Sequence, residues 1–365
     1  MKRIISLFLA FCALFAFVGC QKYKPVKSTK RESTPVITMA YGGKKYEANY
    51  ELFRMLLLSA KETVSDGDLT KFEGSEADAL LAEAKEIALD KIYEIYSVLA
   101  LCEAIDIDLY ARKVDKSVEE SITVSIEGGF GADGQQITGL GSYEKYLENL
   151  SLYYMNYAVQ DLMLRYSYGV SAIGAHYRGT TDAYGNPNND ANLTYTAEDI
   201  TDYYNDDGTV RIFMTFTAQG SVKAQALRDT IASLPTADAV STYMLGHTMA
   251  NEADAKHGLI IGKYSLDSSI YAHITDAALA LEVGETSAPI EGIYGDERGH
   301  FILYRAEKNA DNLAENRERV ASYYVENEIG KKLAAVKEAL AESAGFTAFY
   351  ESLVLAEIRM DEEKQ

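Results

Sequence analysis

The feature that most limits what this chain can fold into is an apolar stretch at its N-terminus. Lys2 and Arg3 form a short basic head, and residues 4–18 then run for fifteen positions without a charge. This length is typical of the hydrophobic part of a secretory signal and is short for a stable membrane-spanning helix. We therefore expect residues 1–19 to be a signal peptide that is removed before folding. An uncleaved membrane anchor is the alternative.

The residues that close this stretch predict a lipid anchor. Phe17-Val18-Gly19-Cys20 resembles the bacterial lipobox, in which a small residue precedes the cysteine that is lipidated. The resemblance implies that Cys20 becomes the N-terminus and carries fatty acyl chains, which anchor a protein durably when there are two or more. Residues 20–35 are polar, basic and interrupted by prolines, which predicts a flexible lipidated tether. The protein is then expected in the cell envelope, on the extracytoplasmic face of a membrane.

Composition limits both the size of the fold and its partners. A chain of 365 residues with 47% hydrophobic content is long enough for two domains with cores of their own. Its formal net charge is −20. Nucleic acid is therefore not expected as a partner, because phosphate binding needs clustered Lys and Arg.

The cysteines and the short motifs argue against redox, metal and hydrolase chemistry. Cys12 leaves with the signal and Cys20 is lipidated, so Cys102 has no partner for a disulfide within the mature chain. Cys102 lies in an apolar helical stretch and is interpreted as a small core residue. The sequence has no Gly-x-Ser-x-Gly, no His-Glu-x-x-His and no Cys/His cluster, so no cofactor or metal is expected.

The pattern of apolar residues predicts a mainly helical chain with one α+β section. Residues 36–46 alternate and then reach a Gly-Gly pair, which predicts a hairpin. β-rich segments at 210–216 and 299–305 enclose shorter helical pieces, which predicts a compact α+β domain. Helical periodicity predicts the remaining elements, at 48–64, 77–104, 115–127, 142–148, 150–166, 312–343 and 346–360.

Three segments of the α+β section resemble a known domain. Residues 277–290 resemble the parvulin pattern of a helix followed by Leu-x-x-Gly-Glu-x-Ser-x-Pro-Val, and 299–303 resemble its terminal Gly-x-His-Ile-Ile strand. Residues 196–214 resemble the entry into its first strand. This stretch is thus similar to the parvulin-type peptidyl-prolyl isomerase domain, and the whole chain resembles the SurA/PrsA group of extracytoplasmic foldases.

The resemblance implies a fold and a domain order. A helical SurA-like chaperone domain would be built from N- and C-terminal segments, with an α+β parvulin-like domain inserted between them. The corresponding bounds are 36–206 for the first helical part, 207–308 for the parvulin-like domain and 309–365 for the C-terminal helices that complete the chaperone domain.

The resemblance also implies a function: a membrane-anchored foldase that binds unfolded exported polypeptides and isomerises their X-Pro bonds. A parvulin site has an apolar slot with two facing histidines. The first would fall near Phe213 or Met214, and the second aligns with Phe301, while His300 lies one residue early. These four are the candidates for the slot. Because the histidines are missing, we expect isomerase activity to be weak or lost.

Two other readings stay open. One keeps the fold and proposes an active parvulin-type isomerase. The other is a non-enzymatic lipoprotein that binds a solute or scaffolds envelope proteins, although two matched lobes of alternating strands and helices are not evident. The 27 tyrosines, with no tryptophan, either pack helices or line a surface that grips unfolded chains.

Overall fold

The structure is a computed structural model of the full chain. Residues 1–19 and Cys20 lie outside its described part, so the predicted signal peptide and lipidation site have no structural account here. Within the described part, no helix is both long and apolar enough to cross a bilayer. The described residues are 23, 25–73, 77–130, 136–178, 193–206, 209–218, 220–247, 256–262, 274–294 and 297–358.

The order of elements along the chain is as follows. The strands are β1 (Pro35–Tyr41), β2 (Lys44–Asn49), β3 (Gly129–Phe130), β4 (Gln136–Ile137), β5 (Thr209–Thr217), β6 (Leu259–Gly262), β7 (Ile290–Tyr294), β8 (Glu297–Ala306) and β9 (Gly345–Phe346). The α-helices are α1 (Tyr50–Val64), α2 (Ala77–Ala104), α3 (Arg112–Glu127), α4 (Tyr143–Leu152), α5 (Tyr157–Arg178), α6 (Ala197–Asn205), α7 (Ser221–Ala232), α8 (Ala237–His247), α9 (Thr275–Ala280), α10 (Ala310–Glu342) and α11 (Ala348–Glu351).

The chain forms two compact units, and the predicted fold class is confirmed. Of the described residues, those up to 176 and those from 331 onward form the helical unit, and those from 177 to 330 form the α+β unit. The fold is mainly α-helical, with N- and C-terminal segments in one unit and an α+β unit between them. The domain bounds derived from the family resemblance remain predictions.

The helical unit begins with the hairpin that the sequence predicts. β1 pairs antiparallel with β2, and the turn is made by Gly42 and Gly43 at φ +58° and +78°. Such positive φ values suit glycine because it has no Cβ. α1 then begins after Asn49, whose side chain accepts a hydrogen bond from the Leu52 amide. α1 packs against α2, and the buried Cys102 confirms the interpretation of that cysteine as a core residue.

The N-terminal segment departs from the flexible tether that the sequence predicts. Residues 25–34 contact α1: the Ser28 hydroxyl donates to the Glu51 carboxylate at 2.8 Å, and the Arg31 guanidinium donates to the Tyr50 hydroxyl at 3.3 Å. Farther out, the Tyr23 ring stacks on Tyr143. The segment is therefore fastened to the helical unit, because its polar side chains find partners on a folded surface.

The predicted helix over 346–360 is wrong. Residues 345–346 instead form β9, which pairs with β1 through Thr38 and Ile37. The Thr347 hydroxyl then caps the short helix α11, and a 3-10 turn covers residues 355–357. Phe346 pairs with Ile37 in the sheet and does not begin a helix, because tertiary contacts override a local pattern of apolar residues.

The α+β unit is built on an antiparallel sheet of order β6-β5-β8-β7. α7 and α8 pack on one face, and α9 packs on the other. The strands predicted at 210–216 and 299–305 are the two central ones, whereas β7 and α8 were not predicted. α6 and the first part of α10 join the unit through Asn312, whose buried side chain bonds the Gly258 carbonyl and the Tyr204 hydroxyl.

Candidate functional sites: a sheet face and a tyrosine-lined cleft

The register of β5 and β8 separates the four slot candidates. Phe213 pairs with Tyr304, and Phe216 pairs with Phe301. Because successive side chains in a strand point to opposite faces, Met214 and Phe301 share one face while Phe213 and His300 lie on the other. The two buried clusters on either side of the sheet divide in the same way. The structure therefore brings together Met214 and Phe301, and does not bring all four residues to one slot.

The face with Met214 and Phe301 is apolar and tightly packed. Phe301 and Leu303 are completely buried, and Met214 is 7% exposed. Near the end of the sheet, the Phe216 ring lies 4.9 Å from Phe301 and 5.6 Å from Tyr294 between ring centroids. An X-Pro amide placed at this face would meet hydrocarbon where a parvulin site is expected to present imidazoles.

Arg305 is a polar residue on the same face of β8, and it is already engaged. Its guanidinium donates to the carbonyls of Leu279 and Leu281 at the end of α9. A cation at a helix C-terminus stabilises the carbonyls that have no partner within the helix. Arg305 therefore holds α9 on the sheet.

His300 lies on the opposite face, one residue away from Phe301 in the strand, and is not fully exposed to water. It pairs with Thr217 on β5 and with Glu291 on β7, and its side chain is half-buried. Its Nδ1 atom is buried and has no hydrogen-bond partner within the described part of the chain. The neighbouring Phe301 ring is on the other side of the sheet, so these two side chains cannot act on one substrate atom.

The segment that most resembles the parvulin pattern has a structural role. The Ser287 hydroxyl accepts from the Leu303 amide at 3.0 Å, and the Ser287 amide donates to the Leu303 carbonyl at 2.8 Å. Gly284, at φ +88°, makes the preceding turn and donates to the Arg305 carbonyl. The Gly-Glu-x-Ser residues thus bond to the backbone of β8 along its edge and hold that strand in place.

The remaining histidines do not form a metal site in the part of the chain that can be described. His257 contributes its backbone carbonyl, which accepts from Arg211 and Asn312. His273 and the side chain of His247 lie outside the described residues. No group of three His, Cys, Asp or Glu side chains that could hold an ion occurs among the described residues.

A second candidate site is an open cleft of about 500 Å³ in the helical unit. Its walls come from three separate stretches: residues 44–47 of β2, residues 96–110 at the end of α2 and after it, and Leu162 on α5. The sequence does not predict this cleft, because no local pattern links the three stretches. Its lining includes tyrosine and aliphatic side chains, among them Tyr46, Tyr96, Tyr110, Leu99, Ile107 and Leu162.

Carboxylates give the cleft its polarity. The Tyr46 hydroxyl donates to Glu103 at 2.7 Å, and Lys44 forms an ion pair with the same carboxylate. These hydrogen bonds hold the pKa of Glu103 below its usual value, whereas desolvation raises the pKa of Tyr46. Asp106 and Asp108 also line the cleft. The tyrosines are therefore neutral hydrogen-bonding groups beside fixed negative charge.

No protein-family model matches the chain, and no curated protein matches it. Solved structures similar to it include the foldase protein PrsA from Streptococcus pneumoniae, with 12% identity, a TM-score of 0.27, and coverage of 75% of this chain and 90% of that one. PrsA from Bacillus subtilis is similar at 14% identity and a TM-score of 0.24, over 85% of this chain and 92% of that one. The similarity is to the group that the sequence resembles. Because these TM-scores are low, the similarity does not support a function for this chain.

Proposed function

We propose that this protein is a lipid-anchored extracytoplasmic chaperone that binds unfolded exported polypeptides and has weak or lost prolyl isomerase activity. The observation that carries the proposal is the tyrosine-lined cleft. Its volume of about 500 Å³ lies within the range of natural binding sites. Tyrosines offer an apolar face and a hydroxyl at little entropic cost, a combination that tolerates many sequences.

The edge of the hairpin sheet supports the binding of extended chains. β2 is the outer strand in the order β2-β1-β9, and its residues Lys44–Glu47 form one wall of the cleft. The Tyr96 hydroxyl donates to the Glu47 carbonyl, so this carbonyl faces the cleft but is already bonded, and an extended segment would pair with the residues of β2 that precede it. An extended segment laid along such an edge can bond to the backbone without regard to its sequence, while its side chains contact the cleft walls.

Suppression of client aggregation tests the cleft. We expect the mature chain to suppress aggregation of an unrelated unfolded protein at a near-stoichiometric ratio. The double variant Leu99→Asn, Leu162→Asn should weaken client binding by more than about tenfold, since each half-buried leucine contributes roughly 1 kcal/mol. Light scattering at increasing ratios of the variant to client gives the measurement.

The matched control for this test is Leu152→Asn. Leu152 is 66% exposed and is not part of the cleft wall. Equal loss of suppression in the control and the double variant would exclude the cleft as the binding site. No suppression by the unaltered chain would favour the scaffold or solute-binding reading.

The anchor is tested by a single substitution. Cys20→Ser removes the thiol that the acyl chains need, so we expect the variant to move from the membrane fraction to the soluble fraction of an expressing bacterium. Mass spectrometry of the membrane form should show the added mass of the acyl chains on Cys20. Unchanged partitioning of Cys20→Ser would contradict lipid anchoring and favour the uncleaved apolar segment as the anchor.

A further inference from the structure

The N-terminal segment is fastened to the helical unit very close to the proposed lipid attachment. The Tyr23 ring stacks on Tyr143 with centroids 5.3 Å apart and an interplanar angle of 28°. Its hydroxyl donates to the Glu127 carboxylate at 2.7 Å. Tyr23 follows Cys20 by three residues. A chain spans at most about 3.3–3.6 Å per residue, so Tyr23 lies within about 11 Å of the lipidated residue.

The β3-β4 hairpin adds an exposed apolar residue to the same place. Phe130 is 72% exposed and follows Glu127 by three residues. The base of the hairpin is folded back on α3, because the Gly141 amide donates to the Ile126 carbonyl at 2.7 Å. Phe130 is therefore an exposed apolar side chain within about 11 Å of Glu127, to which the Tyr23 hydroxyl donates.

We propose that Tyr23, Phe130, Tyr143 and the adjoining end of α3 form a membrane-contact face that sets the helical unit directly on the lipid surface. The proposal rests on the proposed anchoring through Cys20. A flexible tether over residues 21–35 would place the unit at an r.m.s. distance of about 20 Å. With Tyr23 held on the helical unit, two residues lie between the lipidated residue and the fold, a span comparable to the thickness of the headgroup layer.

The chemistry of the face matches a lipid interface. Tyrosine rings are favoured at the level of the headgroups, where an apolar body and a polar tip are both satisfied. Lys22 and Lys24 flank Tyr23 in the sequence, and juxtamembrane cations are attracted by anionic lipids. A phenylalanine at 72% exposure would gain by entering the acyl boundary.

The test uses the full lipidated chain in vesicles of phosphatidylcholine and phosphatidylglycerol. An environment-sensitive fluorophore is attached at Phe130→Cys or, as the control, at Lys113→Cys. Lys113 is an exposed residue on the same helix as Glu127, fourteen positions earlier and hence about 21 Å away along the axis. Labelling is selective because Cys20 is acylated and Cys102 is buried, which raises the pKa of its thiol to about 12.

Brominated lipids should quench the label at position 130 several-fold more than the label at position 113. Tyr23→Ser should leave the protein on the vesicles and lower quenching at position 130 to the level of the control. Flotation of the labelled protein with equal quenching at both positions would overturn the membrane-contact face alone. Failure of the lipidated chain to float with the vesicles would overturn the anchoring as well.

Discussion

In a refolding assay limited by prolyl isomerisation, residues 21–365 are expected to accelerate folding at least about 100-fold less than a parvulin that has both histidines. Loss of one preorganised polar group in an active site costs about 10²–10³ in rate, and here both positions are apolar. Met214 and Phe301, the pair that shares a face, are 7% and 0% exposed. The barrier to amide rotation is about 18–20 kcal/mol, and hydrocarbon packing alone does not stabilise the twisted amide.

The same assay distinguishes catalysis from simple binding. A chaperone that holds its client can slow refolding, so the measurement should include a short proline-containing peptide that is too small to need a chaperone. His300→Ala serves as the control, because His300 lies on the far face of the sheet and its removal should not change the rate. A rate near that of an intact parvulin, reduced by His300→Ala, would contradict the separation of the two faces and favour the active isomerase.

The second large effect is expected at Lys61. Lys61 is 4% exposed on α1, and its ammonium donates to the carbonyls of Leu355 at 2.7 Å and Ile358 at 3.1 Å. Lys61→Met should lower the free energy of unfolding of the helical unit by about 2–4 kcal/mol, since hydrogen bonds to charged groups contribute about 1.5–3 kcal/mol each. Urea unfolding followed by circular dichroism gives the measurement, and hydrogen exchange should show lost protection at the C-terminal turn.

Lys113→Met is the matched control for this prediction. It removes the same charge and adds the same side chain at an exposed helical position, where a substitution should change stability by no more than about 0.5 kcal/mol. If Lys61→Met unfolds at the same urea concentration as Lys113→Met, then the bonds to residues 355–358 do not contribute to stability.

The sequence predicts best the elements that have a long repeat of apolar residues or a motif contained in a few adjacent residues. α2 was predicted at its observed bounds of Ala77–Ala104, because its apolar face repeats over many turns. The first hairpin was predicted from its Gly-Gly turn. Thr196 and Asp199 form a capping box at the start of α6, a pattern contained in four adjacent residues, with both reciprocal hydrogen bonds present.

The candidate site was harder to predict because it depends on which face of the sheet each strand side chain points to. β5 is buried along nearly its whole length, on both faces of the sheet. Its sequence therefore lacks the alternation that would show which side chains face which way. Sequence alone could not decide between Phe213 and Met214, whereas pairing with β8 selects Met214 as the neighbour of Phe301 on one face.

The sequence also could not show which tyrosines pack in a core and which line a surface. Tyr203 and Tyr204 are buried among apolar residues of the α+β unit, whereas Tyr46, Tyr96 and Tyr110 line the cleft. Identical residue types thus pack in the core of one unit and line an open cleft, the proposed binding surface, in the other. The difference depends on which distant segments meet them, and no local window of sequence contains that information.

The strand β9 has a consequence for the order in which the protein matures. β1 receives its second neighbour only when residues 345–346 arrive, and α1 receives its C-terminal contacts only with residues 355–358. Because synthesis begins at the N-terminus, β1 and β2 exist long before β9, and the edge of β1 stays open until almost the whole chain has been made. On the proposed export route this unpaired strand would be exposed to aggregation until the C-terminal residues arrive, and we expect the protein itself to need protection by chaperones during that interval.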